Sequence, residues 1–127
     1  MAKKVLVVDD EPDILEMLGI RLESNGYTVI TAFNKEGCFK KATEENPDLI
    51  LLDVLLPGIG GLEICKLLKK DAKMKDIPVI IITALIGESA VEAGLESGAV
   101  CVISKPFDPA DLLEKIADVL KSDHEIV

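Results

Sequence analysis

Several absences narrow the problem before any motif is read. No hydrophobic run is long enough to span a bilayer, and the opening MAKKVLVVDD offers only Val5-Leu6-Val7-Val8 before two acids. Neither a membrane span nor a signal peptide is therefore expected. Basic residues are in deficit: 14 Lys+Arg against 23 Asp+Glu leave a net charge of -9. Such a chain repels nucleic acid and anionic membrane alike, so no direct contact with either is expected, and metal ions or basic protein surfaces fit better as partners. Cysteine is sparse, with Cys38, Cys65 and Cys101 widely separated and none in a C-x-x-C pair. They read as reduced thiols of a cytoplasmic protein. The single histidine, His124, lies close to the C-terminus, where a solvated side chain is expected rather than a ligand.

What is present is apolar and strongly patterned. At 127 residues and 49% hydrophobic content the chain fits one domain, able to bury roughly two-thirds of its unfolded surface. Three short runs lack alternation, Val5–Val8, Leu49–Leu52 and Val79–Ile82, as strands buried on both faces do. Tyr27–Thr31 is rich in β-formers, and Ala99–Ser104 reads as a last, edge strand. Between these lie helical patterns. Pro12 opens one that Asp10 or Glu11 can cap and that Asn25-Gly26 stops. Asn34 can cap a second, which ends before Pro47; a third runs over LEICKLLKK from Leu62, with lysines at its dipole-favoured end. A weak fourth, over 88–97, is interrupted by glycine and expected to be short or mobile, and a fifth starts at Asp108-Pro109 with an apolar stripe of Leu112, Leu113, Ile116 and Leu120. Residues 1–121 form the expected domain and 122–127 a flexible tail.

Strands alternating with helices predict an α/β fold, a doubly wound five-stranded parallel sheet of order 2-1-3-4-5 with helices on both faces. Ligands in such sheets bind beyond the carboxyl ends of the strands, where the winding reverses. Asp9 and Asp10 follow the first strand, Asp53 ends the third, Thr83 ends the fourth and Lys105 ends the fifth, so the polar groups converge on one rim. Local capping would not require that convergence. Two carboxylates about 4 Å apart repel by about 4 kcal/mol at an effective dielectric of about 20. Three such acids facing one lysine should recruit a cation, and a small set of oxygen ligands favours Mg²⁺.

In this order and spacing, VVDDEP, LILLDVLLPGIGG, VIIITA and SKPF resemble the receiver domain of two-component response regulators, over residues 3–121. The resemblance implies a flavodoxin-like, CheY-like fold and a signalling role. It implies that Asp53 accepts a phosphoryl group from a sensor histidine kinase or phosphotransfer protein. Asp9 and Asp10 would hold Mg²⁺ with Asp53 and the backbone carbonyl of Leu55. Thr83 and Lys105 would contact phosphoryl oxygens, and the peptide preceding Pro106 would be cis. Aspartate is a competent nucleophile, and a metal with a lysine can stabilise the charge on the group in transfer.

The departures are as specific. Val102 stands at the switch position, where many receivers carry an aromatic residue, and Val100 and Cys101 stand where acids are common. The output is therefore expected to travel through the fourth helix, with the last helix-strand-helix face serving a downstream target protein or a homodimer. Leu55 and Leu85 border the expected path of the hydrolytic water and cannot bond it, which implies a long-lived phosphoryl state. Other readings fit less well. An aspartyl-nucleophile phosphatase would want an acid at Leu55, and a flavin module would want a phosphate-cradling loop where Asp9-Asp10-Glu11 stand. An inactive pseudo-receiver that only docks would have no use for the acids, Thr83 and Lys105. No separate enzymatic activity is expected beyond self-catalysed phosphorylation and dephosphorylation. The sequence carries no output segment, so the domain is expected to act through protein contacts or within a longer regulator.

Overall fold

A computed structural model of the chain describes residues 2–53, 60–84 and 88–125, with side chains as far as Lys121. Leu55, Leu85 and the side chain of His124 lie outside the described residues. Five strands, β1 (Lys4–Val8), β2 (Thr28–Ala32), β3 (Leu49–Asp53), β4 (Val79–Thr83) and β5 (Cys101–Ser104), alternate with five helices. These are α1 (Pro12–Ser24), α2 (Lys35–Glu45), α3 (Gly61–Lys70), α4 (Glu88–Glu96) and α5 (Pro109–Glu125). The sheet is parallel throughout, in the order β2-β1-β3-β4-β5.

The unbroken apolar runs are explained by burial on both faces. Leu6, Val8, Ile50, Leu52, Val79 and Ile81 point to one layer, where they meet Cys38 and Ala42 of α2 and Ile64, Cys65 and Leu68 of α3. Their neighbours Val5, Val7, Leu49, Leu51, Ile80 and Ile82 point to the other, against Leu18 and Leu22 of α1 and Leu112, Ile116 and Leu120 of α5. The period of two in side-chain direction divides each run between two cores. Leu51 is fully buried in the second of them. Truncation to alanine there should cost about 2–5 kcal/mol in a denaturant titration, with an unchanged slope.

Helix ends follow local chemistry, with three differences from expectation. Asn34 caps α2 as its sequence context predicts, accepting from the Gly37 amide at 2.8 Å. The capping expected of Asp10 or Glu11 at α1 does not occur; Glu11 is the N-cap residue but makes no side-chain cap bond. Asp9 instead accepts the Glu11 amide at 2.9 Å, because its side chain closes a local turn directly after the strand. At the last strand, regular pairing begins at Cys101 rather than Ala99. Gly98, at φ 108°, closes α4: its amide donates to the Leu95 carbonyl and that of Ala99 to the Gly94 carbonyl. This glycine-ended helix stop takes up residues that would otherwise extend β5. Finally, the backbone of α5 continues to Glu125, past the boundary expected at 121.

Candidate functional site

The strand register places the acids. Val8 pairs with Leu52, so the residues that follow them, Asp9 and Asp53, emerge side by side at the carboxyl edge of the two central strands. Asp53 pairs with Ile82 and Thr83 with Ser104, which brings Thr83 and then Lys105 to the same edge. Asp9, Asp53 and Thr83 are buried, at 2%, 3% and 2% exposure, whereas Asp10 is exposed. The amide of Asp9 donates to the Ala32 carbonyl at 3.1 Å, and that of Lys105 to the Thr83 carbonyl at 2.6 Å. Backbone bonds thus hold the segments that carry both groups.

Lys105 bridges the two buried carboxylates. Its Nζ donates to Asp9 Oδ2 at 3.3 Å and to Asp53 Oδ2 at 3.2 Å. One carboxylate oxygen from each of Asp9, Asp10 and Asp53 lies within 4.8 Å of the others. Burial is the main reason the Asp9 carboxyl sits above its ordinary pKa of 3.8; the Glu11 amide opposes this, and the Asp53 charge adds to it. Burial also works against the Lys105 ammonium, but Asp53 and then Asp9, by charge and by hydrogen bond, more than offset it and hold its pKa above the usual lysine value. Three acids against one ammonium leave a local excess of negative charge. An all-oxygen donor set with that excess, two of its acids buried, suits a small hard cation, so the residues present fit Mg²⁺.

Every described member of the expected constellation, Asp9, Asp10, Asp53, Thr83, Lys105 and Pro106, comes to this rim. The Lys105–Pro106 peptide is cis. Val102 does not reach it: it pairs with Ile81 inside the sheet and is partly buried against the α2–α3 side of the core. Two features have no counterpart in the sequence reading. One is the bond from the Glu11 amide that occupies Asp9 Oδ1; an acid two residues before the N-cap residue of a helix is the signal that could have shown it. The other is a groove of about 500 Å³ beside Lys105, with Ile14, Met17, Pro106, Phe107 and Pro109 among its walls and Glu11 at its edge. Its lining comes from Glu11 and α1, from Ala84 just after β4 and from the segment after β5, so no local pattern marks it.

Comparison with known proteins agrees with this geometry. The family model described as the response regulator receiver domain matches residues 5–117. The phosphate regulon transcriptional regulatory protein PhoB of Klebsiella pneumoniae is 44% identical over 121 residues, covering 95% of this chain and 53% of that protein. The alkaline phosphatase synthesis transcriptional regulatory protein PhoP of Bacillus subtilis is also 44% identical, covering 95% and 50%. The chain thus spans about half the length of the curated relatives it matches. The crystal structure of a CheY-like response regulator receiver domain protein from Methanospirillum hungatei superposes with a TM-score of 0.91 at 31% identity, over the whole of both chains. Among the described residues no helix is long and apolar enough to cross a membrane. With its parallel sheet, its convergent acids and lysine, and a family match that runs from β1 into α5, this chain belongs to the response regulator receiver domain family.

Proposed function

We propose that this domain is a phosphorylation-controlled switch in the cytoplasm, with Asp53 as the acceptor. The observation that carries the reading is the bridge from Lys105 to Asp9 and Asp53 at the sheet's carboxyl edge. An Asp53 carboxylate oxygen attacks phosphorus as the bond to the donor's histidine nitrogen, or to the acyl oxygen of a small donor, breaks. The products are an aspartyl phosphate and the released imidazole or carboxylate. Asp9, Asp10 and Asp53 would hold Mg²⁺, with the Leu55 carbonyl that the resemblance implies, and the ion would supply charge neutralisation for the group in transfer. Lys105 then exchanges a carboxylate for a phosphoryl oxygen, and Thr83 supplies a hydroxyl at the same rim. No separate substrate is turned over. The fit is to self-catalysed transfer and hydrolysis rather than to an enzyme acting on a third molecule.

The donor is a sensor histidine kinase or a phosphotransfer protein. The apolar groove beside Lys105 is the surface on which it would present its histidine. Output passes to a downstream protein, to a second copy, or within a longer regulator, through the face where Val91, Leu95 and Val100 are exposed. An exposed apolar cluster of that kind on a small acidic domain suits a protein contact. A docking-only role is disfavoured because burying two acids is costly without a cation or a phosphoryl group to use them.

The test is titration of the Mg²⁺-loaded chain with beryllofluoride, read by amide shifts and sedimentation. Shifts should spread from Asp53 through residues 88–104 and self-association should rise. Changes confined to the neighbours of Asp53, with unaltered sedimentation, would favour docking alone.

A further inference from the structure

The chain holds three asparagines, Asn25, Asn34 and Asn46, and no glutamine. An asparagine loses its side-chain amide as ammonia when the backbone nitrogen of the next residue attacks the side-chain carbonyl carbon. Asn46 has no such nitrogen beside it, because Pro47 follows and a proline nitrogen carries no proton. Asn34 is held as the cap of α2, its Oδ1 accepting the Gly37 amide at 2.8 Å. The nitrogen it would use belongs to Lys35, whose side chain crowds the approach. Asn25 is followed by Gly26, which has no side chain to hinder attack. No atom beyond its chain neighbours lies within 4 Å of the place where a Cβ of Gly26 would stand.

The turn that carries Asn25 joins α1 to β2. Residues 23–26 are all exposed, at a helix end where local opening costs least. Asn25 is the C-cap residue, and its Nδ2 donates to the Arg21 carbonyl at 2.8 Å. The Asn25 amide donates to the Leu22 carbonyl at 3.0 Å and the Gly26 amide to the Glu23 carbonyl at 3.1 Å. Gly26 turns the chain at φ 89°. The Tyr27 amide then returns to the Leu22 carbonyl at 3.1 Å, and the Thr28 amide donates to the Lys3 carbonyl at 2.9 Å, where β2 begins. Leu22 is fully buried, and Tyr27 packs against the same core. The span from Leu22 to Thr28 is thus fixed at both ends. One more main-chain atom within it has to break one of these bonds.

We propose that Asn25 is a site of spontaneous covalent modification, in which a succinimide formed with Gly26 opens to lengthen the main chain of the α1–β2 turn. Opening of the last turn of α1 frees the Gly26 nitrogen from the Glu23 carbonyl. The nitrogen gives its proton to hydroxide and attacks Cγ of Asn25. The N–Cγ bond forms, the Cγ–Nδ2 bond breaks, and ammonia leaves with a proton taken from water. Water then adds to one carbonyl of the ring and breaks that carbon's bond to nitrogen. Cleavage at Cγ gives aspartate, whereas cleavage at the backbone carbonyl gives isoaspartate, whose main chain runs through Cβ and Cγ. One water enters and one ammonia departs, with no oxidant or reductant. Both products set a carboxylate against the negative end of the helix dipole, and neither can donate to the Arg21 carbonyl. Isoaspartate alone also shifts the register at Tyr27 and Thr28.

The site lies before β2, at the sheet edge opposite Asp53, so its test is independent of the phosphoacceptor reading. The folded chain is incubated at mildly alkaline pH, with a second sample unfolded in urea. Intact mass follows the exchange of an amide for an acid, and fragmentation of the peptides separates aspartate from isoaspartate. The folded chain should gain both products at Asn25 and none at Asn34 or Asn46, more slowly than the unfolded one. Asn25→Gln should lose the gain. Conversion in urea with none in the folded chain overturns the proposal, as does a gain that maps to Asn34. Aspartate without isoaspartate overturns the succinimide route. The purified isoaspartate form should melt below both the parent and Asn25→Asp, which shares its charge. Equal melting of the isoaspartate form and Asn25→Asp overturns the lengthened turn.

Discussion

Asp53→Asn is expected to remove phosphorylation completely while leaving the fold in place. Asparagine is nearly isosteric, keeps an oxygen toward Lys105 and relieves part of the repulsion between neighbouring acids, so folding should not suffer. The amide is not a competent nucleophile toward phosphorus, so position 53 can no longer accept the group. Asp9 is the nearest rival, since it shares Lys105 with Asp53. One of its oxygens is already committed to the Glu11 amide. Incubation with acetyl phosphate and Mg²⁺, followed by intact mass, should show no gain in the variant. Modification at the parent's rate would transfer the acceptor role elsewhere.

The second large effect concerns the cation. Burial raises the Asp9 carboxyl pKa above 3.8, against the pull of the Glu11 amide. The folded state thus binds the Asp9 proton more tightly than the unfolded chain does. The cost of holding Asp9 ionised is present above its folded pKa and is relieved as pH falls through that pKa toward 3.8. Asp9→Asn should therefore raise the melting temperature at neutral pH in metal-free buffer, and the gain should shrink on acidification. Mg²⁺ should reverse the ranking. At about a hundred times its Kd the ion stabilises a protein that binds it only when folded by about 2.7 kcal/mol. The parent should show that gain, and Asp9→Asn should lose most of it together with most of its phosphorylation rate. A variant that responds to Mg²⁺ as the parent does would remove Asp9 from the ligand set.

The features legible in the sequence share a physical cause. Continuous apolar runs at Val5–Val8, Leu49–Leu52 and Val79–Ile82 can be satisfied only by burial on both faces, and that requirement dictates a central parallel sheet. Once the strands are parallel and their order is known, their final residues must share an edge, so Asp9, Asp53, Thr83 and Lys105 were readable as one site before any coordinate. The start of β5 was not, because Ala99 has an ordinary strand composition and its amide is claimed by the Gly94 carbonyl of the preceding helix. The expected side-chain cap of α1 is absent: Glu11 stands at the N-cap without a cap bond, and the acid that bonds there is Asp9, which accepts the Glu11 amide from the strand end. Gly94 read as a weakness in its helix. Its partner Val102 lies across a turn and a strand, and only tertiary packing shows that the glycine makes room for that valine.

The most direct measurement is the mass spectrum of the intact parent chain after acetyl phosphate treatment, in Mg²⁺ and in excess chelator, with the modified residue located by peptide mapping after borohydride trapping of the acyl phosphate. The account predicts a gain of one phosphoryl group, at Asp53, in Mg²⁺ only. A gain that persists in chelator, or one that maps to another residue, would contradict it.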